Sequence, residues 1–342
     1  MTNIGVIGCG YWGPNLVRNF TSLSDARVKR ICDLDEVRLG YMKKLYPQVE
    51  VTTDFDSLVR DDEIDAVVIA TPVSVHYEMA MKSIEAGKHT MIEKPMAASS
   101  QECMNLIETA EKKDVRLMVG HTFIFTPTVR RIKTLISQGD IGEILYISSR
   151  RLNLGLFQKD INVAWDLAPH DISIILYLMG KEPVAVNCQG KCHMNTAIED
   201  VTSMSLDFEN GGFAVIQSSW LDPNKVREMI IVGSRRMIVY DDTQPLEKVK
   251  IFDKRVDPPP HYDTFAEFHF SYHYGDIYTP YIKHEEPLKV ECQHFIDCIM
   301  RGERPETSGQ EGLRVVQILE AASSSLKQGG NRVALHEPAL VT

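Results

Sequence analysis

The sequence predicts an α/β protein in two parts: a doubly wound parallel sheet over residues 1–120, then a second α/β domain with an antiparallel sheet over 121–342. Three observations predict it. The 342 residues amount to about two domains at roughly 150 residues each. Short β-rich runs alternate with helix-length segments only up to about residue 120. Beyond that point extended runs follow one another across short turns, which is an antiparallel pattern.

In the first part the β-rich runs are Ile4–Ile7, Arg27–Cys32, Glu50–Thr52, Ala66–Ala70, His89–Ile92 and Arg116–Val119. Helices are predicted at Asp35–Leu45, which stops before Pro47, and at Val75–Ala86, which ends at a glycine suited to the left-handed position. A third, Ser99–Lys112, sets Cys103, Leu106, Ile107 and Ala110 on one face. Such alternation implies a parallel sheet covered on both sides. In the second part a helix at Pro127–Gln138 leads to a strand at Ile144–Arg151, and another helix starts at Pro169 and runs to Met179. Strands follow at Val184–Cys188, Thr202–Phe208, Phe213–Ser218, Arg227–Val232 and Met237–Tyr240, with Glu209-Asn210-Gly211-Gly212 as a hairpin turn. Residues 253–288, rich in Pro, His and Tyr, read as an irregular excursion or lid. Helices return at Val290–Met300 and Gln310–Leu326.

Composition narrows the function. Apolar residues make up 44% and charged residues 25%, the ordinary globular range. The 47 acidic against 37 basic residues give a net charge of −10, which argues against nonspecific nucleic-acid or membrane-surface binding. No apolar run approaches the roughly 20 residues a membrane helix needs, and Met1-Thr2-Asn3 leads straight into a strand with no room for a leader. Seven scattered cysteines point to a reducing cytoplasm rather than a disulfide framework.

Gly8-Cys9-Gly10-Tyr11-Trp12-Gly13 is a G-x-G-x-x-G between the first strand and a helix that opens with Pro14. The glycines permit a tight turn and close backbone approach to a pyrophosphate, which then sits at the helix N-terminus. Asp33, 23 residues beyond Gly10, ends the second strand and can accept from a ribose 2′-hydroxyl. NAD is therefore the expected cofactor, with Arg30 and Arg38 keeping NADP open. Tyr11 and Trp12 border the cofactor or pack. Thr71-Pro72, with His76 a turn later, and Glu93-Lys94-Pro95 stand at the carboxyl ends of parallel strands, where ligands bind in such sheets.

These residues, together with Asp166-x-x-x-His170, resemble the Gfo/Idh/MocA (glucose–fructose oxidoreductase / inositol dehydrogenase) family along nearly the whole chain. The resemblance implies an N-terminal Rossmann domain and a C-terminal domain with a large, mostly antiparallel sheet. It implies NAD(P)-dependent oxidation or reduction of sugars and cyclitols, and a homodimer or homotetramer formed through that sheet. Trp165–Asp171, Trp220-Leu221-Asp222-Pro223 and Glu291–Arg301 resemble the members that act on nucleotide sugars, such as the UDP-N-acetylglucosamine 3-dehydrogenases. Asn162-Val163-Ala164-Trp165 replaces the glycine-rich lead of many relatives, so the neighbouring pocket is expected to differ in shape.

Oxidation of a secondary alcohol sends a hydride to the nicotinamide and a proton to a base of near-neutral pKa. His170, in the first turn of the helix expected from Pro169, suits the base, because the helix dipole there favours neutral imidazole. Asp166 can fix its tautomer, and Lys94 can stabilise the developing alkoxide. His121, Phe123, Arg151, Asn153 and Trp165 are the candidate substrate contacts. No metal site is expected. Cys188 and Cys192 on one strand would lie roughly 13 Å apart, too far to share a zinc unless Gly190 makes a turn, and the histidines at 261, 269, 273 and 284 lack a ligand spacing. A free-sugar or inositol dehydrogenase and a non-catalytic NAD(P)-binding sensor are the alternatives.

Overall fold

The computed structural model describes residues 1–194, 197–257 and 270–335. The chain folds as two compact units, Met1–Thr126 with Glu285–Glu320, and Pro127–His284 with Ala321–Thr342. The first unit is thus built from two stretches of chain, where the sequence reading placed a single cut at 120/121. Its second stretch returns because helix α8 (Pro287–Arg301) buries Leu288, Cys292, Phe295 and Ile296, with Phe295 edge-on to Phe20 at 6.5 Å. No helix among the described residues is long and apolar enough to cross a membrane.

The first unit runs β1 (Thr2–Ile7), α1 (Gly13–Thr21), β2 (Ala26–Cys32), α2 (Glu36–Leu45), β3 (Glu50–Thr52), α3 (Phe55–Val59), β4 (Ala66–Ile69), α4 (His76–Glu85), β5 (His89–Glu93), α5 (Ser100–Lys112) and β6 (Leu117–Gly120). The strands lie in the order β3-β2-β1-β4-β5-β6, all parallel. That is the doubly wound order, in which the crevice at the carboxyl ends beside β1 and β4 takes the ligand. Ala66–Ile69 is buried throughout, as a strand covered on both faces must be. Asp35 caps α2 by accepting from Val37 and Arg38 amides, and Ser99 caps α5 through the Glu102 amide. Gly87, at φ +76°, ends the α4 region as expected.

The second unit contains α6 (Pro127–Ser137), β7 (Ile144–Leu154), α7 (Val163–Met179), β8 (Pro183–Lys191), β9 (Val201–Phe208), β10 (Phe213–Ser219), β11 (Leu221–Gly233), β12 (Met237–Asp241), β13 (Val249–Asp257), β14 (Ser271–Tyr278) and β15 (Val333–Ala334). Helix α9 (Gly309–Lys327) starts in the first unit and finishes in the second. Among the described residues nine strands order as β14-β13-β12-β11-β7-β10-β9-β8-β15, with β10 and β7 parallel and the other neighbours antiparallel. The predicted hairpin turn is a 3-10 turn at Glu209–Gly211, with Gly211 at φ +84°.

Two expectations are corrected here. Helix α7 begins at Val163, not Pro169: the Asn162 side chain caps it by accepting from the Trp165 amide at 3.1 Å, and Pro169 sits inside. A proline more than a turn in costs one helical hydrogen bond, which the packed helix tolerates. The supposed excursion over 253–288 contains β14, paired antiparallel with β13. His261 and His269 lie outside the described residues.

Asp171 on α7 fixes that helix to the sheet. It accepts from Arg151 Nε at 2.7 Å and Nη2 at 3.1 Å and from Ser149 Oγ at 2.9 Å, all buried. Removing one partner of a buried ion pair strands the other, at about 3–5 kcal/mol. Asp171→Ala should lose that much stability in urea denaturation, and an unchanged midpoint would show the pair to be dispensable.

Candidate active site

In the first unit the glycine turn is fixed by contacts that exclude side chains. Gly8 has φ +92°, and a Cβ there would lie 2.5 Å from the Ala70 carbonyl oxygen. A Cβ on Gly13 would lie 1.8 Å from the Gly8 carbonyl oxygen, so α1 enters directly against the end of β1. Gly10 is open except for Arg38 Nη1 at 3.7 Å. Trp12 at the N-cap provides no side-chain cap and the first turn of α1 holds no acidic residue. The Asn15 amide donates to the Trp12 carbonyl oxygen at 2.9 Å and Pro14 has no amide hydrogen, so what the start of α1 offers an anion is mainly the positive end of the helix dipole. The Asp33 carboxylate accepts from the Cys9 amide with one oxygen and from the Asp35 amide with the other, at 2.8 Å. This locks the acid beside the turn. The cradle fits a dinucleotide. Tyr11, 92% exposed, does not pack in the core.

At the carboxyl edge of the same sheet stand Thr71-Pro72 after β4, Glu93-Lys94 at β5 and His121 after β6. His76 is placed differently from a cofactor contact. It is 1% exposed, with Nδ1 2.9 Å from the Pro95 carbonyl oxygen and Nε2 2.8 Å from that of Thr71. Burial lowers its pKa. A neutral imidazole donates to only one of those carbonyls; the ring ties together the two turns that carry Thr71-Pro72 and Lys94. His121, expected to touch substrate, is 2% exposed with neither ring nitrogen bonded to a protein group. Burial, and then the Lys94 charge, push its pKa down to about 3. Phe123, in a 3-10 turn at Thr122–Phe125, is half-buried.

In the second unit Asp166 and His170 stand one turn apart on the same face of α7. His170 lies in the middle of the helix, so the dipole argument for its neutrality falls. Asp166 Oδ2 accepts from the Trp220 indole Nε1 at 3.0 Å, and Trp220 is buried against Phe157 with ring centroids 5.4 Å apart. Trp165 donates from Nε1 to Ser323 Oγ at 2.8 Å. Arg151, expected as an open donor, is 5% exposed and given over to Asp171. Asn153, near the end of β7, remains half-buried. Cys188 is buried in β8, Cys192 is exposed beyond it, and His193 Nδ1 meets Asp200 Oδ1 at 2.7 Å.

Two side chains without a role in the sequence reading stand out. Trp220 had a signal, the Trp-Leu-Asp-Pro string. Glu291 opens the Glu291–Arg301 string of the same resemblance, but nothing in an amphipathic helix marked this acid as buried, and it is 0% exposed.

The His121 shift has a stability consequence. Its folded pKa of about 3 lies below its ordinary 6.5. Between those values the unfolded chain binds a proton that the folded chain refuses, so the His121 contribution is full above 6.5 and is lost as pH falls toward 3. His121→Leu should flatten the acid limb of a stability–pH curve, and an unaltered limb would show that His121 does not control it.

The Gfo/Idh/MocA oxidoreductase family, NAD-binding Rossmann fold, matches residues 2–121, and the Gfo/Idh/MocA C-terminal domain matches 129–239. An uncharacterized oxidoreductase of Streptococcus pneumoniae is 30% identical over 262 residues, 70% of this chain and 69% of that one. The myo-inositol 2-dehydrogenase of Thermotoga maritima is 28% identical over 342 residues, covering 95% and 96%. The UDP-N-acetylglucosamine 3-dehydrogenase of Acidithiobacillus ferrooxidans has the same fold, with a TM-score of 0.79 at 24% identity over 96% of this chain and 98% of that one. With its glycine cradle on a doubly wound sheet and its matching second unit, the chain belongs to the Gfo/Idh/MocA family of NAD-binding oxidoreductases.

Proposed function

We propose that the protein transfers a hydride between NAD and a secondary alcohol or ketone of a sugar, with a nucleotide sugar as substrate. The observation that carries this is the presence, on one carboxyl edge, of a dinucleotide cradle (Gly8–Gly13 with Asp33) and the Lys94 ammonium. When bound, NAD supplies the hydride acceptor or donor. Lys94 donates a hydrogen bond to the reacting oxygen and stabilises its negative charge as the alkoxide forms. His170 takes the hydroxyl proton on Nε2, its Nδ1 being buried. Asp166, held by Trp220, orients that helix face. Asn153, Trp165 and Phe123, all half-buried, are the sugar contacts. His121 and Arg151 act instead from beneath the surface.

The nucleotide-sugar reading is supported by the Trp165–Asp171 and Trp220–Pro223 strings, the second of which supplies the indole on Asp166. A cyclitol such as inositol is the second reading, favoured by the Thermotoga maritima relative. Tyr146 and Phe213, cross-strand neighbours on β7 and β10, are exposed, as are Tyr272 and Tyr274 on β14. This supports a homodimer or homotetramer through the sheet.

Lys94→Ala should lower kcat about 100-fold or more while NADH affinity, measured by fluorescence titration, stays close to wild type. Near-normal turnover would remove Lys94 from the mechanism. A panel of UDP- and dTDP-sugars, free hexoses and inositols, followed by the growth of NADH absorbance, should give turnover on a nucleotide sugar. Turnover confined to inositols selects the second reading, and inertness on all of them favours a sensor that binds NAD without chemistry.

A further inference from the structure

Glu291 belongs neither to the cofactor cradle nor to the proposed proton transfer, yet it is a fully buried carboxyl in the first unit. Thr122 Oγ1 donates to its Oε2 at 2.7 Å, while its Oε1 is buried without a protein partner. Its neighbour is Glu93, whose Oε1 is also buried and unpartnered. The Glu93 carboxyl lies flat against the end of β6, where a Cβ on Gly120 would come within 2.9 Å of Oε1. Both nitrogens of His121, the next residue, are buried and unpartnered too. Glu93 Oε1, Glu291 Oε1 and the two His121 nitrogens, from β5, α8 and the turn after β6, are thus buried without a close protein partner, although Thr122 serves the other oxygen of Glu291 and Trp12 and the Lys94 backbone act on Glu93. Buried polar atoms rarely go unsatisfied, and ordered water is the molecule small enough to serve them.

We propose that Glu291 stays protonated in this sealed pocket, donates through ordered water to Glu93, and so holds a single carboxylate charge against Lys94. Glu291 is then a positioning residue, an inference that rests on Lys94 being the group that contacts the reacting oxygen. The charges facing the pocket agree. From β5 come Glu93 and Lys94, from the turn after β6 His121 and Thr122, from the start of α1 Trp12, and from α8 Cys292. Burial holds Cys292 as a neutral thiol and His121 as a neutral ring. Two ionised carboxylates against one ammonium would leave a buried negative charge uncompensated. Protonating Glu291 balances the set. Burial, and then the Glu93 charge, raise its pKa well above the usual carboxyl range. Burial raises Glu93 to about 7 while Lys94 pulls it back, so Glu93 is the member that ionises.

The test uses the full chain loaded with NAD. Infrared spectra taken at about pH 8, above the Glu93 value, should show a protonated-carboxyl stretch well past the range of an ordinary glutamate, and that stretch should be absent from Glu291→Gln at the same pH. With whichever alcohol the panel identifies, Glu291→Gln, which keeps a neutral donor, should retain the pH profile of kcat. Glu291→Leu, which cannot donate, should move the acid limb upward by about one pH unit. Absence of the band in the wild type, its survival in Glu291→Gln, or an unshifted limb in Glu291→Leu overturns the proposal. Loss of the band alongside intact turnover condemns the carboxyl pair alone. A persisting band with no turnover on any alcohol overturns the dehydrogenase reading and the positioning role with it.

Discussion

The carbonyl oxygen of Gly8 leaves no room for a side chain at position 13, and the cofactor half of the molecule is organised by that close approach. It brings the start of α1 against the end of β1, so the N-terminus of the helix opens at the carboxyl edge. The hydrogen bond from the Cys9 amide to Asp33 then fixes β2 relative to the same turn. A backbone cradle and a carboxylate are thereby held in register before any ligand arrives, which lowers the ordering cost of binding. The buried His76 packs between the two neighbouring turns and donates to the carbonyl of either Thr71 or Pro95, whichever its tautomer selects.

Both units bury polar groups, and they do so by opposite means. In the second unit Asp171 is matched directly by Arg151 and Ser149, with donor and acceptor in close contact. Such a pair fixes a helix on a sheet and leaves little for solvent or substrate. In the first unit Glu93, His121 and Glu291 are matched only in part, one oxygen of each carboxyl and both ring nitrogens lacking a close protein partner. Low local dielectric makes such groups sensitive to one another, which suits a place where charge must develop during a reaction. The indole that holds Asp166 falls between the two, a neutral donor on a half-buried carboxylate.

Much of the first unit was legible in sequence because its signals are local. Strands of a covered parallel sheet are apolar runs, and caps such as Ser99 and Asp35 announce their helices. The glycine string carries its own backbone requirement. The start of α7 was misread because Pro169 has the look of a first-turn proline, whereas the cap is Asn162, about two turns earlier. The strand at Ser271–Tyr278 was hidden by a composition that suits loops as well as edge strands. Burial of His76, His121, Arg151 and Glu291 was invisible, because each depends on how distant segments pack, as where Thr122 meets Glu291. Residue types named the chemistry, but the depth at which each sits is a property of packing.

Glu286 at the N-cap of α8 is clasped by Arg18 and Asn19 of α1, which pins the returning segment where it re-enters the first unit. The nucleotide half is consequently not a portable module. A chimera joined only after Thr126 would inherit the glycine turn without the helix that seals its far side, and Phe20 would lose the ring it packs on. Exchange between relatives has to carry both stretches together, so specificity and cofactor handling are inherited as interleaved pieces of one gene rather than as separable cassettes.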